Sequence, residues 1–167
     1  SSSTANFVQD HGSALYRRSL YTFFKRTSPP PGMTLLDAPN RESCTVRRER
    51  TNTPLQALHL LNDTQYMEAA RCFAVWVMEQ THGELPARLT QAMERVVARA
   101  PDSTELGWLI DQWQEHQSYF SSHQDQAQEL CDVGEAPRLS VESSAELAAW
   151  IMIANLLLNL DETLNLN

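Results

Sequence analysis

Apolar side chains recur at helical spacing along most of this chain, and the spacing lays out its elements. A first helix is predicted from about Gly12 to Arg26, with Tyr16, Leu20, Phe23 and Phe24 near one face. The run Pro29-Pro30-Pro31-Gly32 ends it, because proline cannot continue a helix. Residues 33–51 show no period and read as an ordered loop. Thr53 is then an N-cap, Pro54 suits the first helical position, and Gln56 completes a capping box. This predicts a helix over 54–61 with Leu55, Leu58 and Leu61 inward. Asn62-Asp63-Thr64 offers a second start, and Tyr66, Ala69, Ala70, Phe73, Ala74 and Val77 follow at helical spacing to about Gln80. The pattern leaves open whether these are one kinked helix or two.

Gly83 reads as a stop and Pro86 as the next opening, with Leu89, Met93, Val96 and Val97 on one face before Pro101. Asp102 with Glu105 forms a capping-box pattern ahead of Leu106, Leu109, Ile110, Trp113 and Phe120. A short Gln-rich helix fits 125–131, a loop fits 134–140, and Ser143 with Glu146 caps a last helix to about Leu160. That helix buries Leu147, Ile151, Ala154, Leu157 and Leu158. No alternating pattern of useful length suggests a strand. The expectation is an all-α fold: a bundle of about five or six amphipathic helices with an ordered Arg-rich loop. Residues 1–167 would form a single helical domain with 1–11 as a polar lead-in, cut from a longer chain.

Composition agrees, with 42% hydrophobic residues and only 5 glycines in 167 residues, too few for a turn-rich β chain. A net charge of -8 argues against general nucleic-acid binding. The longest apolar stretch, near 148–158, is too short to span a membrane. Charge is unevenly spread. Up to Asn52 there are eight basic and four acidic side chains, a balance of +4, so the remainder carries -12. The two parts either face each other in one fold, or the basic third docks an anionic partner.

The segment from Asp37 to Pro54 is the polar exception. It sets Arg41, Arg47, Arg48 and Arg50 among Asp37, Glu42 and Glu49. Arginine forks pair bidentately with carboxylates and with phosphates or sulfates. Arg41, Glu42, Arg47, Arg48, Glu49 and Arg50 are therefore either an internal network that pins the loop or a site for a ligand or partner. Catalysis there lacks an evident nucleophile and base, and no catalytic residue is assigned.

Cys44, Cys72 and Cys131 show no metal or haem-attachment spacing and read as core thiols, although arginines around Cys44 would favour its thiolate. His116 and His123, seven apart, lack a third ligand for zinc, so no metal site is assigned. His59 reads as a helix-surface or packed residue. Trp76, Trp108, Trp113 and Trp150 fall on predicted helices, where aromatic side chains serve core or interface.

Several ordered runs carry a family resemblance. They are Leu15-Tyr-Arg-Arg-Ser-Leu-Tyr-Thr-Phe23, the triple-proline turn, Asp37-Ala-Pro-Asn-Arg-Glu42, Arg48-Glu-Arg-Thr-Asn-Thr-Pro-Leu-Gln-Ala57 and Leu60-Leu-Asn-Asp63, with Glu146-Leu-Ala-Ala-Trp150 through Glu162 near the end. Together they resemble the planctomycete-specific C-terminal domain of unknown function found in large proteins with planctomycete cytochrome c-like domains. The resemblance spans about 6–164. It implies a multidomain, exported or periplasmic parent whose haem belongs to another domain; no cofactor is expected in this chain. It also implies family sequence upstream of Ser1.

Three functions follow as expectations. One is a non-catalytic packing or interaction domain, whose partners are other domains of the parent chain. The alternative is an anion- or carbohydrate-binding or hydrolytic domain using the Arg41–Arg50 loop, with Glu42 or Glu49 as acid or base. A third has the basic N-terminal part docking an acidic cytochrome surface, with salt-sensitive binding.

Overall fold

The computed structural model describes residues 7–25, 27–39, 44–47, 51, 53–137 and 143–164. The fold is all-α. Among the described residues there are eight α-helices, two single turns of 3-10 helix and no strand. The chain forms two compact units, Ser1–His59 and Leu60–Asn167.

In the first unit the helix expected over 12–26 is replaced by two 3-10 turns, Gly12–Ala14 and Ser19–Tyr21. Arg18 and Thr22 are extended and break the run. The reason is lack of burial. A short amphipathic helix is marginal unless its apolar face is covered, and here Tyr16, Leu20, Tyr21 and Phe23 are all exposed. The prolines act oppositely to expectation, because Pro31 opens a short helix, α1 (Pro31–Leu35), from the first helical position. Asp37 then takes the left-handed conformation, φ +57°, which aspartate tolerates better than most residues.

Helix α2 (Pro54–Asn62) and helix α3 (Thr64–Gln80) are separate. Asp63 divides them as an extended N-cap, its carboxylate accepting from the Gln65 amide at 2.9 Å. The expected inward face of α2 is wrong. Leu55, Leu58 and Leu61 are exposed, while Gln56 and Leu60 are buried. A buried hydrogen-bonding task for Gln56 sets the rotation of the helix. In the first unit His59 lies beside α1, where Gly32 leaves the space: a Cβ there would stand 3.0 Å from His59 Nε2.

The second unit is built around α7 (Ser144–Leu158), which packs against α3, α5 (Ser103–Ser122) and α6 (Gln124–Cys131). Most faces of α7 are buried, including Leu147, Trp150, Ile151, Ile153, Ala154 and Leu157. A helix apolar on nearly all sides belongs at the centre of its unit. Helix α4 (Leu85–Val97) closes against α5 through Leu89, Ala92 and Met93, and the short α8 (Asp161–Leu164) follows α7. Asp102 and Glu105 form the expected capping box on α5. At α7 the Ser143 hydroxyl accepts from the Glu146 amide at 3.3 Å, while the Glu146 carboxylate lies 3.5 Å from Arg88.

Candidate functional site

The Arg-rich segment is rooted by one carboxylate and one amide. Asp37 Oδ2 accepts from the Thr51 amide at 2.7 Å and from the Thr51 hydroxyl at 2.8 Å. Gln56 Nε2 shares its protons among Leu35 O at 2.8 Å, Thr51 Oγ1 at 2.9 Å and Asp37 Oδ2 at 3.1 Å. Gln56 Oε1 accepts from the Thr53 amide at 2.9 Å, while Thr53 Oγ1 accepts from the Gln56 amide at 3.3 Å. The capping box legible in the sequence thus also draws Asp37 and Thr51 together across the base of the segment. Of the six predicted site residues, Arg47 is exposed and makes no hydrogen bond or ion pair to a described residue. Arg41, Glu42, Arg48, Glu49 and Arg50 lie outside the described residues.

Two polar clusters that sequence reasoning missed stand in the second unit. On α3, Glu68 is 4% exposed and Arg71 is 3% exposed. Glu68 Oε2 accepts from the backbone amides of Glu135 and of Ala136, the latter at 3.1 Å. Arg71 donates to Val133 O at 3.1 Å, Ala136 O at 2.8 Å and Pro137 O at 3.4 Å. One turn of helix therefore satisfies both polarities of the loop after α6. Gly134, at φ +90°, lets the loop pass over Glu68, whose carboxylate fills the space a Cβ would need. The polar i, i+3 pair within an apolar stretch was the available signal.

The other cluster is a double fork. Arg99 pairs bidentately with Glu105 at 2.8 Å for both bonds, and with Glu162 at 2.9 and 2.8 Å. The Arg99 bonds, then the Asp102 amide, hold the Glu105 carboxyl down at about 2. Glu162 is lowered and Arg99 raised by the same pairing.

Aromatic chemistry concentrates around α3, α4 and α7. Trp150 is 1% exposed, lies 6.0 Å from Trp113 between ring centroids, and carries the Arg88 guanidinium over its ring at 4.8 Å. Trp108 is about half exposed. Phe73 stacks on Trp76 with centroids 5.8 Å apart, and Arg95 sits over Trp76 at 5.3 Å. With Val96, Leu158 and Thr163 these three line an open groove of about 400 Å³.

The expectation of core thiols holds only for Cys131, which burial pushes up to about 11; Cys44 and Cys72 are exposed. Neither of those two positions falls where a helix turns inward. His116 is lowered chiefly by burial, and His123 stacks on Tyr119 at the α5–α6 junction, centroids 4.2 Å apart. Among the described residues no three His, Cys, Asp or Glu side chains group to hold a metal ion, and no helix is long and apolar enough to cross a membrane.

No curated protein and no solved structure matches the chain. Residues 1–112 match the family model described as PSD1, protein of unknown function (DUF1553), a match that excludes the Glu146–Glu162 run, and the chain belongs to that family.

Proposed function

We propose that this chain is a non-catalytic interaction domain, the C-terminal part of an exported, cytochrome-linked multidomain protein of planctomycetes. One observation carries the reading: the apolar side chains of residues 16–23 are left in solvent. Leu20 is 75% exposed, Tyr21 69% and Phe23 80%. Arg17, Arg18 and Lys25 stand among them and make no ion pair with a described residue. Exposed apolar groups rimmed by charge are the composition of a contact surface. The basic rim suits an acidic partner surface, presented by another domain of the parent chain. The planctomycete and cytochrome setting, periplasmic location and haem in another domain rest on the resemblance of the Leu15–Phe23, Asp37–Glu42 and Arg48–Ala57 runs; this chain is assigned no cofactor.

The test is titration of this chain against the separately produced remainder of the parent protein, at low and high salt. Expected is binding that weakens at least about tenfold between roughly 50 and 500 mM salt, and further with Leu20→Ser and Phe23→Ser together. No binding, or binding indifferent to both changes, overturns the reading. A second reading, an anion- or carbohydrate-binding or hydrolytic loop at Arg41–Arg50, is favoured by Arg47, which is exposed and makes no ion pair with a described residue. Saturable sulfate or glucuronate binding, lost in Arg47→Gln, would put it ahead.

A further inference from the structure

We infer that the groove lined by Phe73, Trp76, Arg95, Val96, Leu158 and Thr163 binds a small amphipathic carboxylate. Its volume of about 400 Å³ lies within the range of small-molecule sites. The wall is apolar on α3, α4 and the end of α7, with Phe73 and Trp76 stacked at 10° between ring planes. Arg95, in the last turn of α4, supplies the charge. Its guanidinium carbon lies 5.3 Å from the centroid of the Trp76 ring, and an arginine held by such a ring contact keeps N–H donors that can fork onto a carboxylate. Arg95 makes no hydrogen bond or ion pair among the described residues.

The nearest acid along the chain to Thr163 does not compete for it. Glu162 is taken bidentately by Arg99. The Thr163 hydroxyl is likewise spent on Leu157 O at 2.9 Å. Among the described residues of the lining Arg95 is then the one charge without an ion pair, in the part of the chain that carries the acidic excess. A ligand that satisfies both features has a medium-length alkyl or aryl body along Phe73, Val96 and Leu158 and a carboxylate at Arg95.

The test uses the 167-residue chain with octanoate and octanol as probes, followed by calorimetry and tryptophan fluorescence. Expected is saturable binding of one octanoate, at least about tenfold tighter than octanol, because a charge-assisted bond is present only in the acid. Arg95→Gln should weaken octanoate about tenfold and leave octanol unchanged, with helix content by circular dichroism intact. The fluorescence change should vanish in Trp76→Phe. Equal binding of the two probes, or of octanoate to Arg95→Gln, overturns the inference. So does perturbation by octanoate, in amide NMR spectra, of residues 16–23 instead of 73–96. Tighter binding of N-acetyl-Leu-Leu than of octanoate would overturn the small-molecule assignment in favour of a chain terminus.

Discussion

Replacing Arg71 by methionine would test how the loop after α6 is held. Methionine keeps the apolar stem of arginine but has no donor. The bond to Pro137 O, at 3.4 Å, is long and contributes little. Those to Val133 O at 3.1 Å and Ala136 O at 2.8 Å are good charge-assisted bonds. Each contributes about 1.5–3 kcal/mol. Those values are already net of the guanidinium's desolvation, so the two bonds sum to roughly 3–6 kcal/mol, of which relaxation of the freed carbonyls towards water recovers part. The expected net loss is about 3 kcal/mol. For a chain of this size that lowers Tm by roughly 6–12 °C. Urea unfolding followed by circular dichroism and by the fluorescence of Trp113 and Trp150 would measure it. Arg71→Lys, which keeps a point charge but not the fork, should recover about half. If the methionine variant lies within about 1 kcal/mol of the parent, the carbonyls turn to water without cost and Arg71 does not hold the loop.

Gly134→Ala should cost about 2 kcal/mol or more, because φ +90° is strained for alanine and its Cβ would meet the Glu68 carboxylate; a melt that matches the parent would refute this. Arg99→Gln should remove a pH-dependent term. Glu105 is lowered from its ordinary 4.5 to about 2, so its pairing stabilises the fold fully above about 4.5 and is lost as pH falls towards 2. The Tm difference between parent and variant should therefore shrink across that window, and a difference that stays constant from pH 6 to pH 2 would count against the double fork.

Much of the helical plan was legible in the sequence. The Asp102–Glu105 box, the Asp63 start of α3 and the apolar register of α4 and α5 are local features, set by which side chain can reach a free amide within one turn. The failures come where distant groups decide. Gln56 faces inward because Leu35, Asp37 and Thr51 need its amide, and the leucines of α2 are turned out as a consequence. Nothing in the spacing of the leucines reveals those partners. The Arg-rich segment could be recognised by composition, yet of its charged side chains only Asp37 and Arg47 fall among the described residues.

By itself the sequence determined the all-α class, most helix starts and stops, and the family, because caps, periodicity and ordered motifs are written in neighbouring residues. Only the tertiary structure decided that Glu68 and Arg71 belong to a loop more than sixty positions away, that Arg99 joins Glu105 to Glu162, and that Arg95 and Trp76 meet over one groove. Such pairings depend on which helix faces pack together, and packing is a property of the whole fold that no local window contains.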